Sequence, residues 1–205
     1  LRGTRSKPQG KLRVDVPVAF GRYLLLPALS EFTRRYPLIE LDLRLNDRIV
    51  DLVAERVDVA LRVGPIRQAG LAARRVSQVN IVTCAAPAYL QDHGEPQTPD
   101  ELRDHKLVGL TSPSGAPPEW TFPPPYTPKR LGLKFAMLFN SAEAPIIAAT
   151  AGLGITHTGD LLVAEYVGRG ELKLILEDFV MPGPPISLVY PSAGHQLAKV
   201  RVFSD

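Results

Sequence analysis

The sequence predicts an α/β protein, and the order and the spacing of its apolar residues carry this prediction. Along the chain, stretches in which apolar residues alternate with period two take turns with stretches in which apolar residues recur at helical spacing. The resulting order, β-α-β-α-β, calls for parallel strands joined by right-handed crossovers. With 205 residues, the chain can form one large domain or two small lobes and can bury a sizeable core.

The first block of the chain contains three predicted strands and two predicted helices. In IELDLRL the alternation of apolar and charged residues has no fault, which is typical of a strand with one buried face. Pro37 ends the first helix, because the residue before a proline is disfavoured in the helical region. The predicted strands are 11–18, 39–45 and 57–64, and the predicted helices are 22–36 and 47–56.

A second α/β block follows, with a late strand and a late helix left over. Two capping boxes, Thr98 with Glu101 and Asn140 with Glu143, predict helix starts, and Pro99 suits a first helical position. The predicted strands are 80–86, 131–139, 171–177 and 186–190, and the predicted helices begin near 87, 98, 140, 159 and 195.

The glycine-spaced run AGLGITHTGD raises the question of a phosphate-binding loop. The dinucleotide motif needs G-x-G-x-x-G between a strand and a helix, whereas here His157 takes the third position and a helix precedes the run. We therefore reject a nucleotide site. Gly152 is expected to close the preceding helix with Leu153 over its end, and Gly154 to let another group approach closely.

Composition excludes several classes of protein. No run of 18 apolar residues exists and the N-terminal segment has no apolar signal-peptide core, so we expect a cytoplasmic protein with no membrane contact. The first residue is Leu1, and we expect the chain to be a piece of a longer protein. The 24 basic and 21 acidic residues are scattered, which does not suggest a nucleic-acid-binding face in this chain.

No catalytic or metal-binding constellation is visible. The four histidines lack metal-ligand spacing, and no G-x-S-x-G nucleophile motif occurs. Cys84 follows an apolar run, which favours a buried thiol over a nucleophile. Asp15, Asp42, Asp51 and Asp58 occupy polar faces and are expected to be solvated. We predict that the chain is not an enzyme and uses no metal or cofactor.

Candidate ligand-binding residues follow from the rule that open α/β sheets bind ligands beyond the carboxyl ends of their strands. Arg62 either clamps a carboxylate or pairs with Asp58 or Glu55. His157 either contacts the ligand or is a structural imidazole, and Trp120 is a packing anchor or a stacking platform. The rule selects Val18, Ala19, Phe20, Gly21, Arg62, Val63, Gly64, Asn140, Ser141, Thr156 and His157.

Several stretches together resemble the effector-binding domain of LysR-type transcriptional regulators, from Pro8 to almost the end of the chain. Their order and spacing carry the resemblance more than any one motif does. The stretches are PQGKLRVDVPVAFGRYLLLPALSEFTRRYPLIELDL, DLVAERVDVALRVG, APAYLQDHGEPQTPDELRDHKLVG, EWTF, FNSAEAPIIAATAGLGI, GRGELKLIL and LVYP.

The resemblance implies two Rossmann-like subdomains joined by two crossover strands, as in type 2 periplasmic binding proteins. Subdomain I is expected at 10–84 plus 187–205, and subdomain II at 85–186. A small effector, expected to be an organic anion, would bind in the cleft between the subdomains. The alternative function on the same fold is an extracytoplasmic solute-binding protein of a transporter.

The resemblance also implies partners. An N-terminal winged helix-turn-helix, absent from this chain, would read the DNA, so this fragment alone should not bind duplex DNA specifically. Self-association into a dimer, or a tetramer of the full-length protein, would use faces of Leu24–Tyr36, Ile39–Leu45 and Ala144–Ala151, although these faces equally suit a core.

Overall fold

A computed structural model describes residues 7–66, 68–112, 114–192 and 197–205. The start predicted for the last helix, at His195, lies outside the described residues. The strands are β1 (Gly10–Val16), β2 (Ile39–Leu45), β3 (Val59–Val63), β4 (Leu71–Ala85), β5 (Val108–Leu110), β6 (Met137–Phe139), β7 (Thr156–Gly159), β8 (Lys173–Ile175) and β9 (Met181–Pro191). The α-helices are α1 (Val18–Phe20), α2 (Leu26–Arg35), α3 (Pro87–His93), α4 (Pro128–Leu131), α5 (Glu143–Thr150), α6 (Asp160–Gly168) and α7 (Ala198–Ser204).

The chain divides into two compact units. Unit 1 comprises Leu1–Gln78 and Pro184–Asp205, and unit 2 comprises Val79–Gly183. The chain passes into unit 2 within β4 and returns within β9. Both passages come slightly before the boundaries expected from the sequence.

The sheet of unit 1 is built on three parallel strands. β1 pairs with β2 along its whole length, from Gly10 opposite Ile39 to Val16 opposite Leu45. β1 also pairs in parallel with β3, which pairs antiparallel with β9. The three parallel strands predicted for this block are confirmed, and their shared direction brings their carboxyl ends to one edge of the sheet.

A nearly continuous helical segment follows β1. Helix α1, a π-helical turn (Gly21–Leu25) and α2 succeed one another without a break, so the helix predicted from residue 22 begins earlier, at Val18. Gly21 has an ordinary helical φ of −58°. A Cβ there would lie 2.4 Å from the Leu45 side chain. The glycine is therefore explained by close packing on β2 and not by a turn.

The helix predicted over residues 47–56 is also wrong, because this segment forms a single tight turn. The Asp51 carboxylate accepts hydrogen bonds from the N–H groups of Val53 and Ala54, at 2.9 and 3.0 Å. Arg56 then adopts a positive φ of 54°, which stops helical propagation. Val50, Leu52 and Val57 are buried and join a small cluster with Ala60 and Val189. The apolar spacing that suggested a helix is thus used to bury the turn.

Unit 2 contains short strands around one apolar cluster. The β4 strand pairs antiparallel with both β7 and β8, while β5 pairs in parallel with β6. Leu102, Leu107, Trp120, Leu131 and Ile155 are among the buried residues of the cluster. The structure thus confirms that Trp120 is a packing residue.

Two predicted elements of unit 2 differ from the structure. Residues 131–136 are not a strand, because the Thr127 hydroxyl caps the short helix α4 and Gly132 ends it with a left-handed φ of 55°. Helix α5 begins at Glu143 with no side-chain cap, so the capping role predicted for Asn140 is wrong. Pro145 lies in the first turn of α5, where its missing N–H needs no intrahelical partner.

The glycines of AGLGITHTGD have the roles predicted for them. Gly152 has a φ of +76°. Its N–H bonds to the Ala149 carbonyl, and the Leu153 N–H bonds to the Ala148 carbonyl, each at 3.0 Å. Together these bonds form the Schellman termination of α5. At Gly154, a Cβ would lie 2.4 Å from the Lys106 carbonyl oxygen, so the backbones of the two segments meet there.

Candidate functional site

A cavity of about 500 Å³ lies in unit 1 where the three parallel strands end. Pro17 follows β1, residues 46–49 follow β2, and Arg62 and Val63 end β3, and all of them line the cavity. Its size falls within the usual range for small-molecule pockets, and its position is where open α/β sheets bind ligands. We call it the unit 1 cavity.

A buried carboxylate organises the polar side of the unit 1 cavity. Asp15, on the central strand β1, is fully buried. Its Oδ1 accepts a hydrogen bond from Arg62 Nη1 at 2.6 Å, and its Oδ2 accepts one from Asn46 Nδ2 at 2.6 Å. The Asp15 carboxylate therefore orients Asn46, which follows β2, and Arg62, which lies at the end of β3.

The partners predicted for these charged residues need correction. Arg62 pairs with Asp15 and with neither Asp58 nor Glu55. Asp58 instead pairs with Lys199, and Glu55 with Arg44 and Arg48. The solvated position expected for Asp15 is also wrong, since β1 is flanked by strands on both sides and Asp15 has no solvent exposure.

Two buried polar atoms of this cluster have no hydrogen-bond partner. They are Arg62 Nη2, a cationic donor, and Asn46 Oδ1, an acceptor. Leaving such a buried atom unsatisfied costs about 1–3 kcal/mol. Both side chains line the unit 1 cavity. Both atoms are buried, so a molecule in the cavity could contact them only after these side chains move.

The remaining wall of the unit 1 cavity is largely apolar. Val63, Ile66, Leu71 and Val189 contribute aliphatic surface. Ile49, which is 82% exposed, also lines it. The arrangement suits a small molecule with one polar end and an apolar body.

The other predicted site residues of unit 1, namely residues 18–21 and Gly64, are not among those that line the unit 1 cavity. The first N–H of helix α1, that of Val18, donates to the Asp47 carboxylate at 3.1 Å, so the protein itself supplies the anion there. Ala19, Phe20 and Gly21 are buried. Gly64 donates its N–H to the Pro185 carbonyl at 2.9 Å.

In unit 2, His157 belongs to a polar and aromatic cluster. Its Nδ1 lies 2.9 Å from the Thr83 hydroxyl, and its ring lies 5.1 Å from Trp120 and 4.7 Å from Phe122. Burial lowers the pKa of His157 to about 4, although the Thr121 backbone opposes this shift in part. Nε2 is buried and makes no hydrogen bond of normal geometry. The imidazole is therefore neutral at physiological pH.

The low pKa of His157 predicts a pH-dependent stability. Because the imidazole in the unfolded chain takes up a proton near pH 6.5 and the folded one only near pH 4, stability falls as the pH drops between these values. Wild type should lose about 3 kcal/mol more than His157→Gln across this window. Urea titrations at several pH values measure the difference, which should be constant above pH 7. An equal loss in both proteins would contradict the assignment.

The other predicted residues of unit 2 have different environments. Thr156 is buried on β7, whereas Asn140 is exposed. The Ser141 carbonyl accepts the N–H of Ala144 at the start of α5. Cys84 is a buried free thiol whose pKa burial raises to about 12, so it is structural, as predicted.

The described part of the chain holds no candidate metal cluster and no helix that could span a membrane. Within residues 7–66, 68–112, 114–192 and 197–205, no three His, Cys, Asp or Glu side chains converge to hold a metal ion. None of the helices in those ranges is long and apolar enough to cross a bilayer.

Comparison with known proteins gives the family. The family model of the LysR substrate binding domain matches residues 5–205. The chain belongs to this family. The predicted α/β fold class, that of LysR regulatory domains and type 2 periplasmic binding proteins, is confirmed.

Relatives of this LysR domain are transcriptional regulators by name and not enzymes. YhjC of Escherichia coli K12, an uncharacterized HTH-type regulator, is 35% identical over 95% of this chain and 65% of its own length. A regulator from Xanthomonas campestris is 30% identical over 98% of this chain and 59% of its own length. This LysR domain therefore spans about three fifths to two thirds of the length of these two relatives.

Solved structures agree with this assignment. The regulatory domain of CrgA, a LysR-type regulator from Neisseria meningitidis, matches with a TM-score of 0.87 and 31% identity over 97% of each chain. Full-length AphB, a virulence activator from Vibrio cholerae, matches with a TM-score of 0.76 and 26% identity, over 97% of this chain and 67% of its own.

Sequence reasoning missed two members of the LysR domain's polar cluster, Asp15 and Asn46. A signal for Asp15 was present, because a β-α-β-α-β order makes the first strand central and covers both of its faces. A charged residue in such a strand needs a buried partner. Asn46 directly follows β2, at the same edge that the strand-end rule selected for the other segments.

Proposed function

We propose that this chain is the effector-binding part of a LysR-type transcriptional regulator and that it binds a small organic anion in the unit 1 cavity. The observation that carries the proposal is the cationic side chain of Arg62 in the wall of a cavity of about 500 Å³, at the ends of three parallel strands. A ligand oxygen that accepts from the Arg62 guanidinium would form a charge-assisted hydrogen bond, worth about 1.5–3 kcal/mol.

The Asp15–Arg62 pair sets how such an anion would be held. Asp15 balances the charge of Arg62, so the cluster has little net charge with which to attract an anion over a distance. Binding therefore depends on direct contact with the Arg62 side chain. The aliphatic wall formed by Val63, Ile66, Leu71 and Val189 adds affinity in proportion to the apolar area that the ligand covers.

Arg62→Lys tests this proposal with little disturbance of the fold. Lysine keeps a positive charge beside Asp15 but has no second nitrogen to present. We expect affinity for the bound acid to fall about 10- to 100-fold, while the free energy of unfolding changes little. Isothermal titration against a panel of aliphatic and aromatic carboxylic acids measures the effect.

Arg48→Lys is the matched control for this experiment. Arg48 lies at the same cavity, but its side chain is 74% exposed and its Nη2 pairs with Glu55 at 3.3 Å. Its replacement should leave the affinity within about twofold. If no acid of the panel binds to the wild-type chain, or if Arg62→Lys binds as wild type does, the proposed function is wrong.

We also propose the regulatory context that the family implies. In the full-length protein, an N-terminal winged helix-turn-helix would contact DNA, and a dimer or tetramer would transmit the effect of the ligand. No residue of α2 is buried, and Leu26 of this helix is 45% exposed. Leu38, which precedes β2, and Ile147 of α5 are 57% and 54% exposed. These exposed apolar residues support self-association through α2, the start of β2 and α5. To shift such a switch from 1:99 to 99:1, the effector must prefer one state by about 5.5 kcal/mol.

The alternative of a transporter's solute-binding protein has the same fold. YhjC, the Xanthomonas campestris regulator and CrgA are all HTH-type transcriptional regulators by name, which favours the regulator. The ligand chemistry proposed for the unit 1 cavity does not depend on this choice.

A further inference from the structure

We propose that Ile49 determines which acids the unit 1 cavity prefers, because its side chain contacts the apolar body of the ligand and favours acids with a longer hydrocarbon chain. This inference rests on the proposed function and makes its ligand class more specific. It follows from the exposure of the Ile49 side chain and from the way in which the protein holds this residue at the cavity.

The Ile49 side chain is open to a molecule in the cavity. Ile49 lines the unit 1 cavity and is 82% exposed, the highest value among the large apolar side chains of the described residues. Other aliphatic residues of the wall are half-buried or buried, namely Val63, Ile66, Leu71 and Val189. Ile49 therefore has uncovered apolar surface that a ligand in the cavity can bury.

Contacts on both sides of Ile49 hold its backbone in place. Two residues before it, the Asp47 carboxylate accepts the Val18 N–H at 3.1 Å. Directly after it, Val50 is buried, and the Asp51 carboxylate accepts two N–H groups of the turn. The neighbours of Ile49 therefore fix its position at the cavity, and its exposure does not come from an unanchored loop.

Val53 is an exposed apolar residue of the same turn with a different position. It is 68% exposed but is not among the residues that line the unit 1 cavity. Single exposed apolar side chains are common on protein surfaces and need no ligand. Ile49 differs because it borders a cavity whose wall is largely aliphatic and also contains the cationic Arg62. The position of Ile49, and not its exposure alone, therefore indicates a contact with the ligand.

The wall of the cavity matches an acid with a hydrocarbon chain. Its carboxylate would contact the Arg62 side chain, and its chain would lie against the aliphatic residues. Each methylene group that becomes buried strengthens binding about fourfold. Ile49→Ala shortens one side chain of this wall to a methyl group. A chain long enough to reach position 49 then loses part of its affinity, whereas a short acid does not.

A series of straight-chain acids tests the inference on the intact chain. The probes are butyrate, hexanoate and octanoate, and isothermal titration calorimetry gives their affinities. For wild type, we expect the affinity to rise about fourfold with each added methylene group. Ile49→Ala should lower the affinity for octanoate about tenfold and leave that for butyrate within about twofold. Because Ile49 is exposed, this variant should keep the melting temperature of wild type.

Val53→Ala is the matched control for this experiment. It shortens an exposed apolar side chain of the same turn that does not line the cavity, so all three affinities should stay as in wild type. Ile49→Leu keeps the number of carbon atoms at position 49 and should retain most of the affinity for octanoate.

The outcomes separate this inference from the proposed function. If acids bind and depend on Arg62, but Ile49→Ala weakens the three straight-chain acids equally or not at all, this inference is wrong and the proposed function stands. The same conclusion follows if Val53→Ala acts as Ile49→Ala does, or if aromatic acids bind and the straight-chain acids do not. If no acid of either kind binds, the proposed function fails, and this inference fails with it.

Discussion

Arg62→Met is expected to lower the free energy of unfolding by about 3–5 kcal/mol, because it leaves a buried carboxylate without its counter-ion. Asp15 has no solvent exposure, and the Arg62 side chain is only 13% exposed. Of the two side chains that bond this carboxylate, the Asn46 amide would remain. Urea denaturation followed by circular dichroism measures the change.

Two further variants show whether the loss arises from the unpaired charge. Arg48→Met removes an arginine from the same cavity, but that side chain is 74% exposed, so we expect a change below about 1 kcal/mol. The double variant Asp15→Asn, Arg62→Met removes both charges and should recover a large part of the stability. If the double variant is no more stable than Arg62→Met, the loss comes from packing and the electrostatic account fails.

Gly154→Ala is expected to destabilise the chain by about 3 kcal/mol, near the upper end of the cost of overpacking. Its Cβ would lie 2.4 Å from the Lys106 carbonyl oxygen and 3.0 Å from the carbonyl carbon. These are backbone atoms beside the Leu107–Ile155 bridge, so they cannot move aside as a flexible side chain would. Thermal and urea unfolding measure the loss.

Gly168→Ala is the matched control for this prediction. Gly168 ends α6, and a Cβ there would meet nothing within 4 Å. Alanine should be neutral or should stabilise the helix by up to about 1 kcal/mol. A Gly154→Ala variant as stable as Gly168→Ala would show that the approach of the two backbones is loose.

Local patterns predicted the parts of the fold in which one residue type has one structural use. Alternation located β2 to the residue, and the positive φ at Gly152 matches the expected helix stop. The helix prediction for residues 47–56 is wrong because the same apolar spacing is compatible with a helix and with a buried turn. There the Asp51 side chain competes for the backbone N–H groups that a helix would use.

The candidate site was predictable as a location but not as a network. The strand-end rule selected Arg62 and Val63, which line the unit 1 cavity. It did not reveal that the Asp15 carboxylate accepts a hydrogen bond from Nη1 of Arg62, because that pair joins residues 47 positions apart. Such a contact depends on which strands are neighbours, and no local pattern contains this information.

The state of Cys84 limits the kinds of signal to which this chain can respond. It is the one cysteine among the 205 residues, it is buried, and burial raises its pKa to about 12. Because oxidants and electrophiles react with the thiolate, this sulfur is protected from peroxide and from disulfide exchange in the folded chain. We therefore expect peroxide treatment of the folded chain to leave Cys84 as a free thiol, which thiol titration after unfolding measures.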